Sequence, residues 1–219
     1  KKKEAEGYQN EEGTGKGINA AGVPREDIFV TTKLFPGYKE WDMPEKTHEQ
    51  TIESLKNQLK QLQLNYVDLY LIHAPLSELR LEQWSALAEL KKSGLTRHIG
   101  VSNYNQDSLK EISDAGLEKP EVNQIEFHPQ FFDRKLYEFC QKMGIILEGW
   151  SPLMQGTALN HKILRSIAEK HRRSPAQIVL RWSVQMNVIP LPKTGTAARM
   201  IENINIFDFQ LDEEDMTTI

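Results

Sequence analysis

The stretch VDLYLIHAP, residues 67–75, decides the fold. From Val67 to Ile72 every residue except Asp68 is one that a protein interior accepts readily. The run therefore reads as a strand buried on both faces, and such strands belong to parallel sheets covered by helices. It stops on His73, followed by Ala74-Pro75. A buried strand closing on the side chain that titrates near neutral pH puts a chemically competent group at its carboxyl end.

The same pattern recurs along the chain. Apolar, β-branched runs occur at IFVTTKLF (28–35), HIGVSNY (98–104), VNQIEF (122–127), IILEGW (145–150) and VIPLPKT (188–194). Between them the apolar residues follow helical spacing. Ile52, Leu55, Leu59 and Leu62 share one face, as do Leu81, Trp84, Leu87 and Ala88 ahead of a stop at Gly94. Asn105 and Asp133 are placed to cap the helices that follow them, and Ser174-Pro175 pairs a cap with a first-turn proline.

Strands alternating with helices imply right-handed crossovers and a parallel sheet with helices outside it. An open doubly wound sheet and a closed barrel both satisfy that rule. The strand endings separate them: Lys33, His73, Ser102-Asn103, Gln124 with Glu126, Trp150-Ser151, and Lys193-Thr194. A barrel gathers all its strand ends on one face, whereas an open sheet concentrates ligand groups at a single crevice. Taken singly, each ending is compatible with a cap, a solvated lysine or a core aromatic. Taken together, they favour the barrel.

Composition narrows the function classes. The chain has 219 residues with 39% hydrophobic composition, and no apolar run of the roughly eighteen residues that a membrane helix needs. One domain is expected over 1–219. A formal charge of −4 and a pI near 5.9 argue against a nucleic-acid partner. The single cysteine, Cys140, permits no internal disulfide, and the opening KKKEAEGY has no signal-peptide centre, so a cytoplasmic location is expected. The glycine-rich EGTGKGI (12–18) fails as a phosphate loop: Gly17 stands where Ser or Thr should follow the lysine, and Asn10 where the first glycine belongs. Histidines 48, 73, 98, 128, 161 and 171 show no paired metal-ligand spacing.

Seven segments, GYQNEE, VTTKL, VDLYLIHAP, IGVSNY, NQIEFHP, GWSPL and IPLPKTGTAARMIEN, resemble in order and spacing the aldo-keto reductases. The resemblance implies a (β/α)8 TIM barrel that reduces aldehydes and ketones with NADP(H), without a metal, as a monomer. Its catalytic tyrosine, lysine and histidine match Tyr8, Lys33 and His73. Hydride arriving at a carbonyl carbon leaves negative charge on oxygen, so a proton donor must be poised there. A phenol is a reluctant acid, a cation beside it is expected to ease proton release, and His73 is expected to orient the substrate oxygen. For the cofactor the resemblance implies Ser102, Asn103 and Gln124 on the nicotinamide carboxamide, with Trp150 stacked on the ring. Ser151 and Leu153 line the pyrophosphate path. Lys193, Thr194 and Arg199 are matched to the 2′-phosphate, and Glu202 and Asn203 to the adenine. Phe35, Trp41 and Ala74 are left open between pocket lining and loop packing.

The likeness departs from the family at its start. Where the family reads aspartate-threonine-alanine, this chain has Lys3-Glu4-Ala5, so the fourth catalytic residue is replaced by Lys3. Six strands are read where a barrel has eight, and the expectation is a barrel whose first two strands precede the sequence in hand. The alternative reading is a catalytically impaired relative that binds NADP(H) as a sensor, subunit or structural protein.

Overall fold

The computed structural model describes residues 5–219, and its contacts group them into two compact units that divide after Asn123. The division falls inside a strand, where the sequence reading expects one domain.

The first unit holds β1 (Thr31–Leu34), β2 (Val67–Ile72) and β3 (Thr96–Ser102), with α1 (Glu11–Ala20), α2 (His48–Leu62), α3 (Arg80–Lys92) and α4 (Gln106–Asp114). β1 pairs β2 and β2 pairs β3, both parallel. The caps are those the sequence predicts. Asn105 accepts the Ser108 amide at 2.9 Å, and the helix ending at Lys92 gives way to Gly94 at φ +79. α2 begins on a reciprocal Thr47–Gln50 capping box, which satisfies two amides at the helix start. Leu55, Leu59 and Leu62 of α2 are buried, as are Trp84, Leu87 and Leu90 of α3.

The second unit holds β5 (Ile146–Trp150) and β6 (Val188–Leu191), again a parallel pair, after β4 (Val122–Glu126). Its helices are α5 (Arg134–Met143), α6 (Lys162–His171), α7 (Pro175–Gln185), α8 (Ala197–Ile204) and α9 (Glu213–Thr218). Asp133 and Ser174 cap α5 and α7, with Pro175 at the first position of α7. Five of the six strands fall within the runs read from the sequence, and β3 begins two residues before its run, at Thr96.

Two features differ from the sequence reading. Residues 12–18, considered and rejected there as a phosphate loop, lie in α1. Glycine weakens a helix interior, but Gly15 earns its place through packing: a Cβ there would stand 2.1 Å from the Leu62 carbonyl oxygen. Asp68, read as the exception to burial in its strand, is also buried. Its carboxylate accepts from Arg25 Nη2 at 2.7 Å, the Val30 amide at 2.8 Å and Arg97 Nη1 at 3.0 Å. Both guanidiniums also lie over the Tyr66 ring, 4.1 and 4.3 Å from its centroid.

In the second unit, Asp215 ties α9 to α6. Its oxygens accept from Lys170 Nζ at 2.9 Å and meet His171 Nε2 at 2.6 Å, and it caps its own helix through Asp212. Burial alone raises its carboxyl pKa, but Lys170, His171 and the Asp212 amide together bring it below the ordinary 3.8. A depressed carboxyl contributes stability that is complete above the unfolded value and is lost as pH falls through the folded one. The thermal midpoint is therefore expected to drop below about pH 4, and less steeply in Asp215→Asn. Equal slopes in the two proteins, followed by circular dichroism, would contradict this.

Candidate active site

The first unit assembles the site from two strand ends and one turn. The β1–β2 register sets Lys33 beside Leu71, and side chains alternate along a strand, so Lys33, Leu71 and His73 point to one face. The His73 amide extends the ladder by donating to the Leu34 carbonyl at 3.0 Å. Lys33 is buried, only 3% exposed. His73 thus leaves its strand on a fixed backbone at the same end as Lys33.

Tyr8 arrives on a short 3-10 turn, Glu6–Tyr8, closed by Gln9 in the left-handed region. Its Oη lies 3.1 Å from His73 Nε2, and the rings meet edge to face at 5.4 Å. Lys33 Nζ is 5.6 Å from the Tyr8 ring centroid. All three residues matched to catalysis therefore meet. Tyr8 keeps 43% exposure, so its hydroxyl edge is open to a ligand. Position 3, where the chain has Lys3, lies outside the described residues.

Partial burial raises the phenol above its ordinary value of 10. Tyr8 accordingly holds its proton through the physiological range.

Ser102 and Asn103 follow β3. Asn103 sits in the left-handed region at φ +60, which asparagine tolerates. Its Nδ2 donates to the His73 carbonyl at 3.0 Å and to Ser102 Oγ at 3.2 Å, so these residues brace the histidine's backbone. The Glu6 carboxylate, which sequence reading passed over, accepts the Phe35 amide at 3.0 Å and pairs with Lys46 at 3.0 Å. Nothing local signals that role, because Phe35 and Lys46 lie 29 and 40 residues away.

The remaining matched residues belong to the second unit. Gln124 donates through Nε2 to Glu148 at 2.7 Å, both side chains being buried. Glu148 was not singled out from sequence, where a lone glutamate in IILEGW carries no signal. Trp150 is half-buried at the end of β5, and Ser151 turns the chain at φ +51. Leu153 follows just ahead of a 3-10 turn over Met154–Gly156. Thr194 Oγ1 accepts the Thr196 amide at 3.1 Å, at the entry to α8. Lys193 and Arg199 are exposed, and among the described residues neither makes an ion pair. The Glu202 carboxylate accepts from the Ser174 hydroxyl, which ties α8 to α7, while Asn203 lines a cavity of about 800 Å³. That cavity is walled mainly by Ile146, Leu180, Ile189, Ile204 and Phe207, and none of Tyr8, Lys33 or His73 reaches it.

The family model of the aldo/keto reductases matches residues 4–219. The chain belongs to that family. It is similar to the glyoxal reductase of Bacillus subtilis, 45% identical over 212 residues that make up 97% of this chain and 74% of the relative. Among solved structures, an aldo/keto reductase of Brucella melitensis matches with a TM-score of 0.90 at 44% identity, over 98% of this chain and 81% of that one. The Bombyx mori aldo-keto reductase in complex with NADP matches with a TM-score of 0.88 at 34% identity, over 98% and 75%. The fold is that of the family's (β/α)8 proteins, and six of its strands lie among the described residues.

Proposed function

We propose that this aldo/keto reductase reduces the carbonyl of small aldehydes or ketones to an alcohol with NADPH, Tyr8 giving the proton. The observation that carries the reading is the meeting of Tyr8 Oη and His73 Nε2 at 3.1 Å, with Lys33 beside the ring. When bound, NADPH supplies the hydride. The oxygen of the reacting carbonyl then gains charge, and the half-exposed Tyr8 hydroxyl is the proton donor assigned to it. Its raised pKa keeps that proton in place until the charge develops. In the tautomer that serves this chemistry, His73 Nε2–H donates toward the oxygens at the site and leaves the phenolic hydrogen for the substrate. Lys33, buried beside the Tyr8 ring, favours the phenolate as it forms when it carries its proton.

The residues of the second unit fit the cofactor's phosphate. Among the described residues, Lys193 and Arg199 have no carboxylate partner, and they flank the start of α8, whose N-cap side chain makes no capping bond. Free cations and unfilled amides at a helix start suit the doubly charged 2′-phosphate that distinguishes NADP from NAD. Arg199→Ala is expected to lower the preference for NADPH over NADH by about ten- to a hundredfold, read from the ratio of the two dissociation constants; an unchanged ratio would remove Arg199 from the pocket.

Glyoxal reductase at 45% identity makes short α-oxoaldehydes the first substrates to try. The test follows NADPH absorbance with glyoxal and an aromatic aldehyde. Oxidation of NADPH with formation of the alcohol supports the reading. NADPH binding without oxidation of any carbonyl tested would favour a cofactor-binding role instead, the outcome that Lys3 in place of an aspartate raises.

A further inference from the structure

We infer that Glu6 and Lys46 form a positioning clamp that holds the proton donor Tyr8 against His73; this rests on the reading of Tyr8 as that donor. Phe35 is the first residue beyond β1, two residues past Lys33 and no longer inside the strand. Both of its backbone groups are nevertheless bonded by side chains. Its amide donates to Glu6 Oε2 at 3.0 Å, and its carbonyl accepts from Lys46 Nζ at 2.6 Å. Lys46 Nζ also meets Glu6 Oε2 at 3.0 Å, which closes a three-membered ring of charge-assisted contacts.

That ring lies directly under the catalytic turn. Glu6 starts the 3-10 turn that ends on Tyr8, and Gly7 between them rests on the Phe35 ring, where a Cβ would come within 3.8 Å of Cδ2. One carboxylate therefore joins the turn bearing Tyr8 to the strand exit bearing Lys33. Lys46 is itself held fast: its amide donates to the Pro36 carbonyl at 3.1 Å, and its carbonyl accepts from the buried Gln83 at 2.9 Å. The pair is partly shielded, with side-chain exposures of 21% for Lys46 and 32% for Glu6, so solvent screens it less than a surface ion pair.

The turn is anchored at its two ends, by the fully buried Ala5 and by Glu11, which accepts from Gln58 Nε2 at 3.4 Å, and Ser54 Oγ reaches Glu6 Oε1 at 3.5 Å; between those anchors its own residues are lightly packed. It is three residues long, has no side-chain cap at its start and buries none of its residues. Removing the clamp frees Tyr8 to swing while leaving Lys33 and His73 on their strands. A shift of about 1 Å in a catalytic group is enough to cost on the order of a hundredfold in rate.

The test compares wild type with Glu6→Gln, Lys46→Met, Lys46→Arg and the exchange Glu6→Lys with Lys46→Glu. The first readout needs no activity: the ¹⁵N signals of the His73 imidazole report its contact with the Tyr8 hydroxyl. The expected result is that Glu6→Gln and Lys46→Met lose that signature and Lys46→Arg keeps it, whereas the exchange, which sets an ammonium against the Phe35 amide and a carboxylate against its carbonyl, does not restore it. In turnover, kcat is expected to fall about ten- to a hundredfold with KM nearly unchanged in the first two variants, and to recover in Lys46→Arg. An unchanged imidazole signature in both Glu6→Gln and Lys46→Met would overturn the clamp. If wild type oxidises no NADPH with any carbonyl, the catalytic reading fails, and the imidazole signals still decide whether the pair holds Tyr8. Should a single variant not fold, Lys46→Arg and the exchange still report on the same contact.

Discussion

Tyr8→Phe is expected to abolish measurable carbonyl reduction, a loss of about a hundred- to ten-thousandfold in kcat, while the protein melts at nearly the wild-type temperature. The two halves of this expectation come from different facts. Phenylalanine keeps the ring that faces His73 edge-on but removes the hydroxyl that lies 3.1 Å from Nε2 and carries the proton to be given. Tyr8 is 43% exposed and its turn buries no side chain, so loss of the hydroxyl strands no buried partner. NADPH binding, followed by quenching of intrinsic fluorescence, is expected to persist, since the cations proposed for the cofactor, Lys193 and Arg199, are far from Tyr8 in the sequence and untouched by the change. A Tyr8→Phe protein reducing glyoxal within a factor of ten of wild type would show that the proton comes from elsewhere.

Asp68→Ala carries the largest expected effect on stability, about 3–5 kcal/mol. The carboxylate is buried and answers three donors at once, two guanidiniums and the Val30 amide. Alanine leaves two like charges facing each other over the Tyr66 ring and strands the amide. Asp68→Asn keeps an acceptor for one donor but cancels the negative charge, so it is expected to lie between alanine and wild type. Urea denaturation is the measurement: the midpoint should fall with little change in slope. A shift worth less than about 1 kcal/mol for alanine would place the cluster among ordinary surface ion pairs. Because this cluster gathers around the amino-terminal end of β2, whereas His73 follows its carboxyl end, kcat of the folded variant is expected to be unaffected.

These two residues also mark how far the sequence could be read. The run Val67–Ile72, the other five apolar runs and the caps at Asn105, Asp133 and Ser174 were legible because each depends on neighbours a few residues apart. The residue types at the strand ends were legible too, and the likeness to the aldo-keto reductases attached roles to them. Helix α1 was not, since three glycines in Glu11–Ala20 lower local helix propensity, and Gly15 makes sense only against the Leu62 backbone.

The amino-acid sequence alone determined the six strand segments, the helices α2 to α5 and α7, that the strands run parallel, and which side chains stand at their ends, because these follow from periodicity and capping within short windows. Only the tertiary structure decided that Asp68 is buried between Arg25 and Arg97, that Tyr8 meets His73 at a sequence separation of 65, and that Glu6 and Lys46 bind the exit of the lysine's strand. Such contacts join residues distant in the chain, and their free energy exists only once the backbone has brought them together.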